Sequence, residues 1–466
     1  MYFVPPPNAF YYIALLIIWP IVAYKIFKRY RLDRATILLF LVPYLFLPVP
    51  HPELTPIKLP LLPKIDKQAV PIFVALALFL SNKIKLEYLP RYRLAKPLCL
   101  LALLYPIATF FGNQDPLVYG STVIPGMRVT EAASTFLACF LLLYVPFVVG
   151  FTLLRSKESH IELVRMIFVL GACYSLFALY EIRMSPQLHK IFYGYFPHDW
   201  RQMLRDGGFR PVVFLGHGLL VAFFCCLTTI CAFVLWREKD PLVKGKGFWL
   251  FLLCAAALVL CKTYSAIIYF MFFLAATIFL GPKMRVRLAA AIAIIVLSYP
   301  ILRSNIPLVA ITEFFSDINP ERAWSLQYRF NNEDMLLDKA MEKKWFGWGI
   351  WGRNRIYHPE TGKDMSVTDG IWIIYFGSFG WAGYIGVIGL LVYPIIAIWR
   401  IQKQKSSELT VHTYTLVFIL ALYLIDQVPN ASMNHLTFLI AGALLGRAKS
   451  IAEAKEPARV ENSSSV

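Results

Sequence analysis

The sequence predicts an all-α polytopic membrane protein. About 12–13 transmembrane helices are expected, with a large extracytoplasmic loop that contains an amphipathic helix. Three observations carry this prediction. Of 466 residues, 58% are hydrophobic and only 16% charged, whereas soluble domains carry roughly 25% charge. Apolar runs of membrane-spanning length recur along the chain. The segments between them alternate between short basic loops and longer mixed ones, as expected when positive charge fixes orientation. A soluble globular protein, a disordered chain and a disulfide scaffold are excluded. The excess of 46 Lys and Arg over 28 Asp and Glu, +18 in all, therefore reports topology and contact with the lipid bilayer, and no nucleic acid partner is expected.

In order, the runs begin near Tyr11, Ala35, Ala69, Lys96, Glu131, Ile161, Pro211, Gly247, Thr263, Leu288, Gly370, Val411 and His435. The second is short, and the division around Lys262 is open. Met1 to Pro7 lacks the basic region of a cleavable signal peptide. All eight cysteines lie in apolar runs and read as small core residues. Placing the intervening segments on alternate sides puts 27 of the 46 basic residues in short loops on one face and the C-terminus with them. That face is the cytoplasmic one. Segments of roughly 183–210 and 303–369 then lie outside. Three regions result: N-terminal helices over 1–130, a membrane core over 131–447 that includes the outer loop 303–369, and a disordered cytoplasmic tail over 448–466.

The outer segments hold the chemistry. Residues 198–217 read HDWRQMLRDGGFRPVVFLGH. Arg201, Arg205 and Arg210 either snorkel to headgroups or form an anion site. Guanidinium forks suit phosphate, and the neighbouring glycines let backbone amides approach it. His217 is expected inside the following helix, as a packed or a functional histidine. Lys262 sits in LVLCKTYSAIIYF. A basic residue at the bilayer centre costs about 2.5–3.5 kcal/mol, a cost that disappears if Lys262 marks a tight outer turn; in either case it is expected to face a polar cavity.

The long loop contains SLQYRFNNEDMLLDKAMEKKWFGWGIWGRN. Met335, Leu336, Ala340 and Met341 fall at helical spacing, with Asp338, Glu342 and Lys343 on the other face. This predicts an amphipathic helix on or near the membrane surface. Arg329 is expected just ahead of it, either where it and the helix dipole together favour an anion or as a solvated face charge. WFGWGIWG reads as an interfacial turn. Asp369, at the mouth of the next span, is a candidate N-cap or general base. Asp426, Asn430 and Asn434 form another outer polar cluster, in which Asp426 needs a partner and an arginine is the natural one.

Together these segments resemble the O-antigen ligase and O-antigen polymerase superfamily of bacterial envelope glycosyltransferases, over approximately residues 130–447. FRPVVFLGHGLL is similar to the family's arginine, apolar stretch and Gly-His, which places an arginine at Arg210. SLQYRFNNEDMLLDKAMEKKWFGWGIWGRN is similar to its arginine, amphipathic helix and GWG turn, which places another at Arg329. TDGIWIIYFGSFGWAGYIG resembles the span that follows. The ligases carry a histidine where this chain has Thr368-Asp369, and an arginine-bearing turn where it has Lys262-Thr263-Tyr264-Ser265. A polymerase or exopolysaccharide-assembly relative is therefore favoured.

The resemblance implies an enzyme of the bacterial inner membrane whose site faces the periplasm. The implied donor is an undecaprenyl-diphosphate-linked oligosaccharide, and the implied acceptor a sugar hydroxyl. Arg210 and Arg329, with Arg205 and Lys262, would hold the diphosphate, and Asp369 would take the acceptor proton. His217, Asp426 and Asn430 would contribute to substrate binding, and envelope polysaccharide assembly proteins are implied partners. No cofactor or metal is expected, since the sequence has no P-loop, dinucleotide fingerprint or metal-ligand spacing. The rival expectation is a transporter or flippase of envelope precursors, although no internal repeat is visible.

Overall fold

A computed structural model describes residues 4–54, 61–205, 207–303, 316 and 320–454. Among them, every one of the thirteen apolar runs folds as a helix. These are α1 (Ala9–Arg29), α2 (Leu32–Phe46), α3 (Ala69–Ser81), α4 (Ala95–Phe111), α5 (Val129–Leu153) and α6 (Lys157–Met184), followed by the short α7 (Leu188–Tyr193). Next come α8 (Gly218–Arg237), α9 (Gly247–Leu260), α10 (Tyr264–Phe279) and α11 (Pro282–Leu297), with a single turn, α12 (Tyr299–Leu302). The long loop contributes α13 (Pro320–Glu342), and α14 (Ile371–Gln404), α15 (Val411–Asp426) and α16 (His435–Glu453) complete the chain. Among the described residues, two small hairpins lie between the helices: β1 (Leu117–Tyr119) with β2 (Thr122–Ile124), and β3 (Leu204–Arg205) with β4 (Gly208–Phe209).

Among the described residues, five helices, α1, α5, α6, α8 and α14, are long and apolar enough to cross a membrane, and five more apolar helices are 10–17 residues long. This is an all-α polytopic membrane protein. Burial separates its layers: 89% of the apolar window of α8 is buried but only 28% of that of α1. Thus α8 is the central rod, packed by α6, α9, α10 and α15, while α1 presents Ile13, Ile17 and Ile21 outward. Seven cysteines are buried as expected; Cys173 faces outward from α6.

The most extensive helix–helix contact among the described residues is α5 against α16. A Cβ on Gly442 would stand 1.9 Å from the Phe147 carbonyl oxygen, and one on Gly150 2.1 Å from that of Leu439. Small residues let the two backbones touch, as in other membrane bundles.

At one end of the bundle the basic segments pair with one another. Arg34 of α2 pairs with Glu162 of α6. Arg165 of α6 holds Asp240 of the α8–α9 loop through two nitrogens, and Lys449 of α16 reaches Glu87 of the α3–α4 loop at 2.8 Å. These are segments that the charge pattern assigned to a single face.

Four expectations are corrected here. The outer-loop helix begins at Pro320, so Arg329 lies in its middle and the dipole argument does not apply; proline at a first turn explains the early start. Its buried face is Asn332, Leu336, Leu337 and Ala340, whereas Met335 and Met341, expected on that face, are exposed; the helix packs against α14. His217 is the N-cap of α8, because Pro211 to Gly216 are not helical. Residues 448–453 continue α16, since Ala448 and Ile451 pack in the core; the remainder of the expected tail, 455–466, lies outside the described residues.

The α5–α16 contact yields a test. Gly442→Ala should destabilise the detergent-solubilised protein by about 1–3 kcal/mol or more, read as a lower midpoint of unfolding. Gly112→Ala, whose nearest atom would stand at 3.9 Å, should leave it unchanged.

Candidate functional site

A cavity of about 930 Å³ opens at the other end of the bundle. It is lined by Arg205, Arg210, His217, Arg329, Asp369 and Asn430, together with Gln202, Leu219, Leu220, Thr263, Tyr264, Ser265, Thr368, Pro429, Ala431 and Ser432. Residues scattered over more than 200 positions thus share one space. The reason lies in how each segment is bent back into the bundle.

Arg205 is carried by the β3–β4 hairpin, and the Arg210 amide extends that pairing by donating to the Met203 carbonyl at 2.8 Å. Beyond it, Pro211 to Leu215 run as buried non-helical backbone. Backbone of this kind survives inside a membrane bundle only where protein groups satisfy it. The amides of Val212 and Val213 donate to one Glu181 oxygen (2.8 and 2.7 Å), and those of Phe214 and Leu215 to the Tyr174 hydroxyl (3.0 and 3.1 Å). Lys67 Nζ donates to the Phe214 carbonyl at 2.8 Å. Val213 has φ of 45°, a conformation that costs a β-branched residue about 1–3 kcal/mol.

The Arg210 side chain lies across Gly218, where a Cβ would come within 2.5 Å of its Nε. The residue is 2% exposed. Its guanidinium donates to Thr263 Oγ1 at 2.9 Å, while Nε has no partner. Burial, with repulsion from Arg205, pushes Arg210 down to about 10, so it remains charged at neutral pH. Thr263 is the N-cap of α10 and makes no side-chain cap bond to it. The α10 N-terminus and a desolvated guanidinium thus face the same space, which favours an anion. Burial, with His198, Arg210 and Arg205 nearby, pushes His217 down to about 4. The neutral ring accepts the Leu219 amide at Nδ1.

Lys262 occupies a tight turn between α9 and α10 at φ of 52°. It does not line the cavity and donates to the Arg205 carbonyl at 3.0 Å.

Across the cavity, Arg329 of α13 pairs with Asp369 at 3.4 Å, both about half-exposed. The N-cap of α14 is Gly370, so Asp369 is not the cap. A smaller cavity of about 100 Å³ shares this pair and is lined also by Tyr299, Tyr328 and Glu333. Among the described residues, Asp426 meets no arginine. Its oxygens accept from Asn430 Nδ2 at 2.9 Å and Ser432 Oγ at 2.6 Å, donors from the loop that follows its own helix. Asn434 caps α16 and does not line the cavity.

The loop is anchored through a break in α14. Gly380 has φ of 61°, and the 344–349 turn fits against it: the Trp348 and Gly349 amides donate to the Gly377 and Ser378 carbonyls, and the Trp381 and Ala382 amides to the Lys344 and Trp345 carbonyls. Any Cβ at Gly380 would stand 2.4 Å from the Trp345 backbone.

Sequence reasoning missed Glu181, Tyr174 and Lys67. A lone carboxylate inside the apolar FALYEIRM run is the signal that was available. No protein-family model matches the chain, and no curated protein matches it.

The Arg210–Gly218 contact is testable. Gly218→Ala should displace the guanidinium and weaken binding of inorganic pyrophosphate to the purified protein by about tenfold to a hundredfold, measured by titration calorimetry, with the thermal transition unchanged.

Proposed function

We propose that this protein transfers or polymerises glycans at the outer face of a bacterial inner membrane. The donor is an undecaprenyl-diphosphate-linked oligosaccharide and the acceptor a sugar hydroxyl, as in O-antigen or exopolysaccharide assembly. One observation carries the reading: Arg205, Arg210, Arg329 and Asp369 line a single cavity at the end of the bundle opposite the paired basic loops. The resemblance of the same segments to O-antigen polymerases and ligases supports it.

In this mechanism the diphosphate sits between Arg210, Arg205 and the α10 N-terminus, and its lipid lies among the helices. The acceptor oxygen attacks the anomeric carbon as the bond from that carbon to the diphosphate oxygen breaks. The leaving diphosphate takes the bonding electron pair, and preorganised guanidinium groups stabilise the charge that develops on it. The hydroxyl proton passes to Asp369. To accept it, Asp369 exchanges its Arg329 contact for the acceptor hydroxyl, which frees Arg329 to reach the phosphate.

Deleting the gene should make undecaprenyl-linked repeat units accumulate while long polymer disappears. Unchanged lipid-linked pools would refute glycosyl transfer. Arg210→Ala and Arg329→Ala should each lower polymer formation about 100-fold or more at normal membrane levels, read on polysaccharide gels. Arg210→Lys should also be poor, since lysine lacks the planar fork. Full activity in Asp369→Asn would remove the base assignment and leave the diphosphate site standing.

A further inference from the structure

Among the described residues, Arg210 is a buried cation without a carboxylate partner. Its guanidinium donates to Thr263 Oγ1, and Nε has no partner there. Such a group drifts toward solvent unless its backbone is fixed. The backbone that follows it is fixed by three buried side chains. Glu181, 1% exposed, gives one oxygen to the Val212 and Val213 amides and the other to the Leu188 amide at 2.9 Å. Tyr174, fully buried, uses its hydroxyl to accept from Phe214 and Leu215. Lys67, 7% exposed, closes the set on the Phe214 carbonyl. A carboxylate and a phenol two turns apart on α6, and the ammonium of Lys67 just ahead of α3, therefore converge on four consecutive residues, Val212 to Leu215.

We propose that Glu181, Tyr174 and Lys67 are positioning residues for Arg210: they lock the strand behind it so that its guanidinium waits, desolvated and unfilled, for a lipid-borne diphosphate. The proposal rests on the functional reading above for the identity of the anion. It needs no contact between these three residues and the ligand. Their effect passes through the backbone, which holds Val213 in its left-handed conformation and lays the Arg210 side chain across Gly218. Preorganisation of this kind matters because a guanidinium that must be recaptured from solvent loses much of its affinity for phosphate.

Tyr174→Phe is the informative change, since it removes a hydroxyl and keeps the packing; Glu181→Gln is the second. The purified full-length protein is titrated with farnesyl diphosphate in detergent. Tyr174→Phe should weaken binding about tenfold in the otherwise unaltered protein and have no further effect in Arg210→Ala. Equal losses in both backgrounds, or no loss in either, overturn the proposal. A second arm needs no ligand. Phenylglyoxal modification of Arg210 and amide exchange over 211–216 should both accelerate in Tyr174→Phe and Glu181→Gln, with the thermal transition still cooperative. Unchanged protection overturns the proposal. If the unaltered protein does not hold farnesyl diphosphate, the functional reading fails, and the second arm alone decides whether these residues position Arg210.

Discussion

Backbone that leaves the helix inside a membrane bundle has only protein atoms to satisfy its amides and carbonyls. This constraint shapes both sides of the cavity. On one side, Pro211 to Leu215 are accommodated by Glu181, Tyr174 and Lys67. On the other, the interruption of α14 at Gly380 is accommodated by the turn at 344–349. Each irregularity lies close in sequence to a residue of the cavity, Arg210 in the first case and Asp369 in the second. A regular helix would carry neither side chain to the same place.

The electrostatics follow from this architecture. At the opposite end of the bundle several buried or half-buried carboxylates are paired, as Glu162 with Arg34 and Asp240 with Arg165. In the cavity, Arg210 has no carboxylate partner among the described residues, and Arg329 shares Asp369 at 3.4 Å. A desolvated guanidinium beside a helix N-terminus favours an anion there.

The sequence made the helices legible because membrane-length apolar runs are a coarse signal that tertiary packing does not override. It also made Arg205, Arg210, His217, Arg329, Asp369 and Asn430 legible, since polar residues at the ends of apolar runs have few places to go. Element boundaries were harder. His217 was assigned to a helix interior because VVFLGH is apolar enough to continue one, yet buried side chains from elsewhere compensate for a non-helical path there. Arg329 was placed ahead of its helix because the apolar periodicity begins only at Met335, although the helix itself starts at Pro320. Asp426 illustrates a third limit. Its need for a partner was evident, but a serine and an asparagine four to six residues away meet that need as well as an arginine. Spacing alone does not distinguish the two.

The docking of the 344–349 turn into α14 has a consequence for how such a protein diversifies. Four main-chain hydrogen bonds tie the outer loop to its own membrane helix, so the two are a single architectural unit. Exchanging the loop alone between related chains would strand open amides and carbonyls on both partners. A transplant that carries residues 320–382 together would keep that seam intact, and variation in specificity is therefore expected to travel as loop plus half-helix.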